Sequence, residues 1–234
     1  MRIGILANSL PAALSVYGEA GAISGSEVFV LLFPAAKESQ GVAKHLARLF
    51  LKSGRCKSLR TIAERRVFVF RRPLNHPQVL SRLRSLDLDV GLHKSGNIYR
   101  DSTISCFRLG ILNAHIGLLP KYRGRSVMEW SLLRGDPVGI SVFFIDEGID
   151  TGERIVLSEE VSVAHCKSLA EARQYLFNLD AVFYRRALEL LSSEKVNYQM
   201  SDGSGRRYYV MSKLFQEVAE ECLAIRNQQS AINN

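Results

Sequence analysis

Short runs rich in β-branched and aromatic residues alternate with longer helix-periodic stretches along the first half of this 234-residue chain. That alternation predicts an α/β fold: a Rossmann-like, mostly parallel sheet flanked by helices. The length agrees, since about 150 residues make a domain and the remainder suits a small appendage. So does the composition, at 47% hydrophobic and 23% charged with 17 Gly and 6 Pro, which excludes disordered, collagen-like and repeat-array classes.

The opening run Ile3-Gly4-Ile5-Leu6-Ala7 turns polar at Asn8, so it reads as a first strand rather than a signal peptide. Further strands are expected at 28–33, 67–70, 89–92 and 110–114. Helices are expected at 37–52, where Val42, Leu46, Leu49 and Phe50 keep helical spacing, and at 78–86. Ala7-Asn8-Ser9-Leu10-Pro11 is not a glycine-rich phosphate cradle, so no dinucleotide site is expected. After Leu119-Pro120 a helix at 126–134 has Ser126 as its N-cap and Gly135 as its stop. A strand at 139–145, a glycine-rich turn at 146–152 and a strand at 154–161 follow. A long amphipathic helix at 169–191 carries Leu176, Leu179, Val182, Phe183, Ala187 and Leu190. A loop at 201–205, a short strand at 207–210 and a last helix ending before Gln228 complete the chain, with 228–234 frayed. The expected division is a main domain at 1–160 and a mainly helical appendage at 161–234.

The net charge of +8 is unevenly spread. Residues 48–84 hold eleven basic side chains against one acid, Glu64, a local charge of +10 that leaves −2 for the rest. Such a window attracts a polyanion or forms a set of solvated helix faces. It lacks the regular aromatic interleaving of a single-strand binding surface. Cys56, Cys106, Cys166 and Cys222 lie far apart without a C-x-x-C pair, so neither a metal site nor a disulfide framework is expected. No apolar run spans a membrane, and a cytoplasmic location is expected.

The chemistry concentrates in Asn113-Ala114-His115 and in Asp146-Glu147-Gly148-Ile149-Asp150-Thr151-Gly152. Asn113 and His115 sit two apart at a strand end, so both point to one face. Asp150, in a turn after a later strand, can meet them at the carboxyl edge of the sheet. Carboxamide, imidazole and carboxylate together suit acyl transfer: the amide donates to a developing oxyanion, the imidazole donates or shuttles a proton, and the carboxylate supports the imidazole. No Ser or Cys nucleophile lies in a matching context, which leaves direct attack by a substrate amine.

These residues carry a resemblance. Asn113-x-His115, Leu118-Leu119-Pro120, Tyr122-Arg123-Gly124, Trp130 and Asp146-x-Gly148-x-Asp150-Thr151-Gly152 are similar to the signature of the folate-dependent formyltransferases. The match is dense from about residue 87 to 160. The resemblance implies the formyltransferase fold, N10-formyltetrahydrofolate as co-substrate, and no metal. It implies Asn113, His115 and Asp150 as catalytic residues, with the pterin bound near Leu92, His93, Lys94 and Gly96 and along the turn holding Asp146 and Gly148. One departure stands out. The family usually places Pro-Ser or Gly-Ser between the His and Leu-Leu-Pro, where this chain has Ile116-Gly117, so the hydrogen bonding around His115 differs.

Among family members, Tyr122-Arg123-Gly124-Arg125-Ser126 followed by Trp130 looks most like the sugar-nucleotide N-formyltransferases. That implies an amino-deoxysugar acceptor for polysaccharide synthesis, with Tyr122, Arg123, Arg125 and Trp130 on the substrate side. Other acceptors, glycinamide ribonucleotide or methionyl-tRNA, are the alternatives. A rival from another class is an inactive fold member holding nucleic acid on the 48–84 patch. The sugar nucleotide is the favoured partner over nucleic acid, and a homodimer through the C-terminal helices stays open.

Overall fold

The structure is a computed structural model, and it describes residues 1–34, 66–147, 154–200 and 205–232. The helix expected at 37–52 lies outside these residues, as does the basic window up to Arg65. The chain forms two compact units, Met1–Leu112 and Asn113–Asn234.

In the first unit, β1 (Arg2–Ala7), β2 (Glu27–Leu32), β3 (Val67–Val69), β4 (Leu88–Lys94) and β5 (Phe107–His115, which continues into the second unit) form a parallel sheet in the order β3-β2-β1-β4-β5. The strands are apolar almost throughout rather than alternating, because both faces are covered. Ile3, Ile5, Leu6, Leu31, Leu32, Val90 and Leu92 are fully or almost fully buried. The expected strands are all present.

Helix α1 (Leu10–Gly21) was not expected. Its buried residues, Leu10, Ala13, Val16 and Ala20, are mostly small, which blunts the periodic signal. Ser9 caps it, its Oγ accepting the Ala12 N–H at 3.4 Å, and Pro11 sits in the first turn. Helix α2 (Pro77–Ser85) matches the expected 78–86 and is capped by His76. The short α3 (Asp101–Ile104) precedes β5.

The second unit begins with the last three residues of β5. Antiparallel strands β7 (Gly139–Phe144), β8 (Arg154–Glu160) and β9 (Gln199–Met200) pair in that order, and the short β6 (Tyr122–Gly124) pairs in parallel with β10 (Arg206–Tyr208). Helix α4 (Val127–Leu133) ends as expected at Gly135, whose φ of 70° continues no right-handed helix. Helix α5 (Leu169–Ser192) is capped by Ser168, whose Oγ accepts the Glu171 N–H at 3.1 Å.

The long helix corrects the expected stripe: Val182 is exposed, and the polar Asp180 and Tyr184 are buried with Leu176, Phe183, Ala187 and Leu188. Helix α6 (Lys213–Ile232) also runs past the expected end before Gln228. Side-chain anchors explain it: Arg226 donates to the Asp136 carbonyl at 2.8 Å, and Asn227 Nδ2 donates to the Cys166 carbonyl at 2.7 Å. No helix among the described residues is long and apolar enough to cross a membrane.

Candidate active site

The end of β5 places the two polar candidates. Ile111 and Leu112 are buried, Asn113 and Ala114 are half-buried and His115 is 7% exposed. Period-2 alternation puts Asn113 and His115 on one face of the strand. Between them the Ala114 N–H donates to the Tyr184 hydroxyl at 3.0 Å, so α5 fixes the backbone that carries both side chains.

The His115 ring turns inward. Its Nε2 lies 2.9 Å from the backbone oxygen of Tyr122, and its edge meets Phe143 at 6.4 Å between centroids. A carbonyl oxygen only accepts, so Nε2 carries the hydrogen of that bond. The ring occupies the space beside Gly117, where a Cβ would stand 2.8 Å from His115 Nε2 and 2.9 Å from the Tyr122 oxygen. The departure from the family pattern at this position therefore has a steric counterpart.

Tyr122 is almost wholly buried, and its phenol donates to the Asp136 carboxylate. Burial, and then that carboxylate, push the phenol's pKa upward, while hydrogen bonds from Lys121 and Tyr122 hold Asp136 below the usual carboxylate range. Tyr122 stacks on Tyr208, which packs against Trp130. The Trp130 indole N–H donates to the Tyr209 carbonyl at 3.0 Å. Tyr208 packs as its aromatic character suggests, but Tyr209 is 68% exposed, with Arg207 over its ring.

Ser126 departs from its expected capping role. It has a left-handed φ of 52° and makes no side-chain cap; its Oγ accepts the Met211 N–H at 3.2 Å. β10 needs close approach here, because the φ of Gly124 is 96° and a Cβ on it would meet the Tyr208 oxygen at 2.2 Å.

A cavity of about 290 Å³ opens beside His115, lined also by Ala114, Gly124, Arg125, Glu129 and Phe177. Arg125 is exposed at its rim, Arg123 is half-buried, and Glu129 is buried and paired with Arg173. Glu129, Tyr184 and the Gly117 void escaped sequence reading. The first two look like ordinary members of helix stripes, and the third depends on a fold-brought neighbour.

The residues expected on the folate side divide between the units. Leu92, His93 and Lys94 end β4 in the first unit, with Leu92 fully buried. A Cβ on Gly96 would touch nothing within 4 Å. His93 Nδ1 is bonded to the Tyr99 hydroxyl at 2.8 Å, and burial, followed by the charge of Lys94, lowers its pKa to about 4. Asp146 is in the second unit; Gly148 and Asp150 lie outside the described residues.

Within the first unit a larger cavity of about 560 Å³ sits past the carboxyl ends of β1, β2 and β3. The stacked Phe33 and Phe70 rings border it together with Arg71, Arg72, Asn8 and Asn97. Other described basic residues are engaged locally: Arg66 with Glu27 at 3.0 Å, and Arg82 over the Phe68 ring at 4.8 Å. No group of three or more His, Cys, Asp or Glu able to hold a metal occurs among the described residues.

A mostly parallel sheet with an amide and an imidazole at one strand end places donors of the kind acyl transfer uses at the carboxyl edge of an α/β protein. The formyl transferase family model matches residues 59–188, and the chain belongs to that family. A methionyl-tRNA formyltransferase of Syntrophus aciditrophicus is 32% identical over 142 residues, a stretch covering 60% of this chain and 45% of that protein. The match thus spans less than half the length of that curated relative. In fold the chain is similar to a sugar N-formyltransferase from Shewanella sp FDAARGOS_354, with a TM-score of 0.64 at 13% identity, covering 95% of this chain and 87% of that one. It is also similar to a formyltransferase from Anoxybacillus kamchatkensis in complex with UDP-4,6-dideoxy-4-formamido-L-AltNAc and tetrahydrofolate, with a TM-score of 0.52 at 19% identity over 89% and 85% of the two chains.

Proposed function

We propose that the protein transfers a formyl group from N10-formyltetrahydrofolate to the primary amine of a nucleotide-linked amino-deoxysugar. The observation that carries this reading is the end of β5, where Asn113 and His115 share a face of the strand and His115 borders a cavity lined also by Arg125. Family membership supports the reaction type. Likeness to sugar N-formyltransferases along almost the whole chain, in one case a protein holding a sugar nucleotide and tetrahydrofolate, supports the acceptor.

The residues at the end of β4 fit a folate: a buried Leu92, a His93 kept neutral, and backbone open around Gly96 suit an uncharged heteroaromatic ring with donors and acceptors. When bound, the folate supplies the formyl group as an acyl electrophile. Asn113 donates its side-chain amide to the formyl oxygen as negative charge develops there. His115 stabilises the same charge and delivers a proton to N10 as its bond to the formyl carbon breaks, and Asp150 accepts the proton that the attacking amine releases. Arg123 and Arg125 offer planar donors to a diphosphate, while Tyr122 and Trp130 form the wall that carries them.

A second reading, methionyl-tRNA as acceptor, is favoured by the curated relative and by the basic residues of the 48–84 window. One experiment separates the two. The purified protein is given formyl donor with a panel of nucleotide-linked amino sugars or with methionyl-tRNA, and formylation is followed by mass. A formyl gain on a sugar nucleotide alone supports the proposal. Gain on methionyl-tRNA alone replaces it, and gain on neither overturns both.

A further inference from the structure

We infer that His115 works through Nδ1, with its Nε2–H held by the Tyr122 carbonyl, and that Gly117 is the positioning residue that lets the ring adopt this pose. The inference rests on the reading of His115 as part of the formyl-transfer site.

The tautomer follows from the partner. Because the Tyr122 oxygen can only accept, the neutral ring has its hydrogen on Nε2 and its lone pair on Nδ1. Protonation adds a hydrogen at Nδ1 and keeps the Tyr122 bond, whereas any proton exchange at Nε2 breaks it. Nδ1 is thus the position where the ring gains and loses its proton.

Three surfaces enclose this pose. A Cβ at residue 117 would lie 2.8 Å from His115 Nε2, 2.9 Å from the Tyr122 oxygen and 2.9 Å from Val127 Cγ2. One is main chain, and the other two belong to buried side chains, so none yields cheaply. The Gly117 N–H donates to the His115 carbonyl at 2.9 Å, closing a tight turn that brings residue 117 against the ring. Beyond the ring, the Tyr122 peptide is braced by β10, with Arg206 opposite Tyr122 in register.

The test uses the full chain with 15N-labelled histidine. Long-range ring spectra are expected to show neutral His115 with its hydrogen on Nε2; a neutral His115 with its hydrogen on Nδ1 overturns the inference. Two substitutions supply a second arm. The amide of His115→Asn occupies the place of Nδ1, and that of His115→Gln the place of Nε2. His115→Asn is expected to retain at least about tenfold more turnover than His115→Gln, and the reverse order overturns the inference. In Gly117→Ala the Nε2–H preference is expected to disappear and kcat to fall at least about tenfold, with KM for the formyl donor unchanged within about twofold. A Gly117→Ala protein that keeps the wild-type ring spectrum overturns the role of Gly117. Should no amine be formylated, the proposed function fails, while the ring spectra still decide the tautomer.

Discussion

At the residue scale, Asn113 and Tyr184 make contrasting cases. Asn113 is half-buried at the end of β5 and outside the buried core, so under the proposed function Asn113→Ala is expected to lower kcat by about 10²–10³ and leave the melting temperature unchanged. A steady-state assay beside a thermal melt checks both halves. Tyr184 is buried and accepts the Ala114 N–H. Tyr184→Phe leaves that donor unmatched and is expected to cost about 1–3 kcal/mol in urea denaturation, with kcat falling as Asn113 and His115 lose their shared anchor. That Asn113 and His115 share a face of β5 was legible because a period of two needs only neighbours in sequence. Tyr184 was not, since a tyrosine in a helix stripe reads as core, and its partner is 70 residues away. Gly117 was visible only as a missing hydroxyl; its meaning came from a ring and a carbonyl that the fold brings to it.

Elements were legible where burial follows a simple period and obscure where tertiary contacts override local preference. The parallel strands stood out as apolar runs, whereas α1 hid behind small residues and α6 outlasted its apparent end because Arg226 and Asn227 reach other parts of the same unit. Ser126 shows the override most clearly: a residue suited to a helix cap adopts a left-handed conformation and bonds Met211 instead. The pairing of β6 with β10 was also hidden, as three-residue strands carry almost no pattern. Gly124 is the element's weak point. With a φ of 96° and a Cβ position 2.2 Å from the Tyr208 oxygen, Gly124→Ala is expected to destabilise the protein by at least about 2 kcal/mol, measured by chemical denaturation, and to lower turnover as well.

For the whole molecule, the half-buried His93 sets a response to acid. Its folded pKa of about 4 lies below the ordinary histidine value of 6.5, so on acidification the unfolded chain takes up a proton before the folded one does. Stability from this group is complete above pH 6.5, declines as pH falls toward about 4, and changes no further below that. The loss reaches at most about 3 kcal/mol. Urea unfolding at pH 7 and pH 4.5 is expected to show this drop, and His93→Asn to show a smaller one. The class of fold and the reaction family were readable from a few dozen residues around β5, because motif spacing survives where overall identity is low.

The clasp of β10 on β6 bears on how the protein is made. The ribosome must add Tyr208 before the peptide that steadies the imidazole acquires its adjoining strand. A nascent product halted between Gly152 and Arg206 would hold every signature residue and still lack the brace, so competence would wait for β10 to be made.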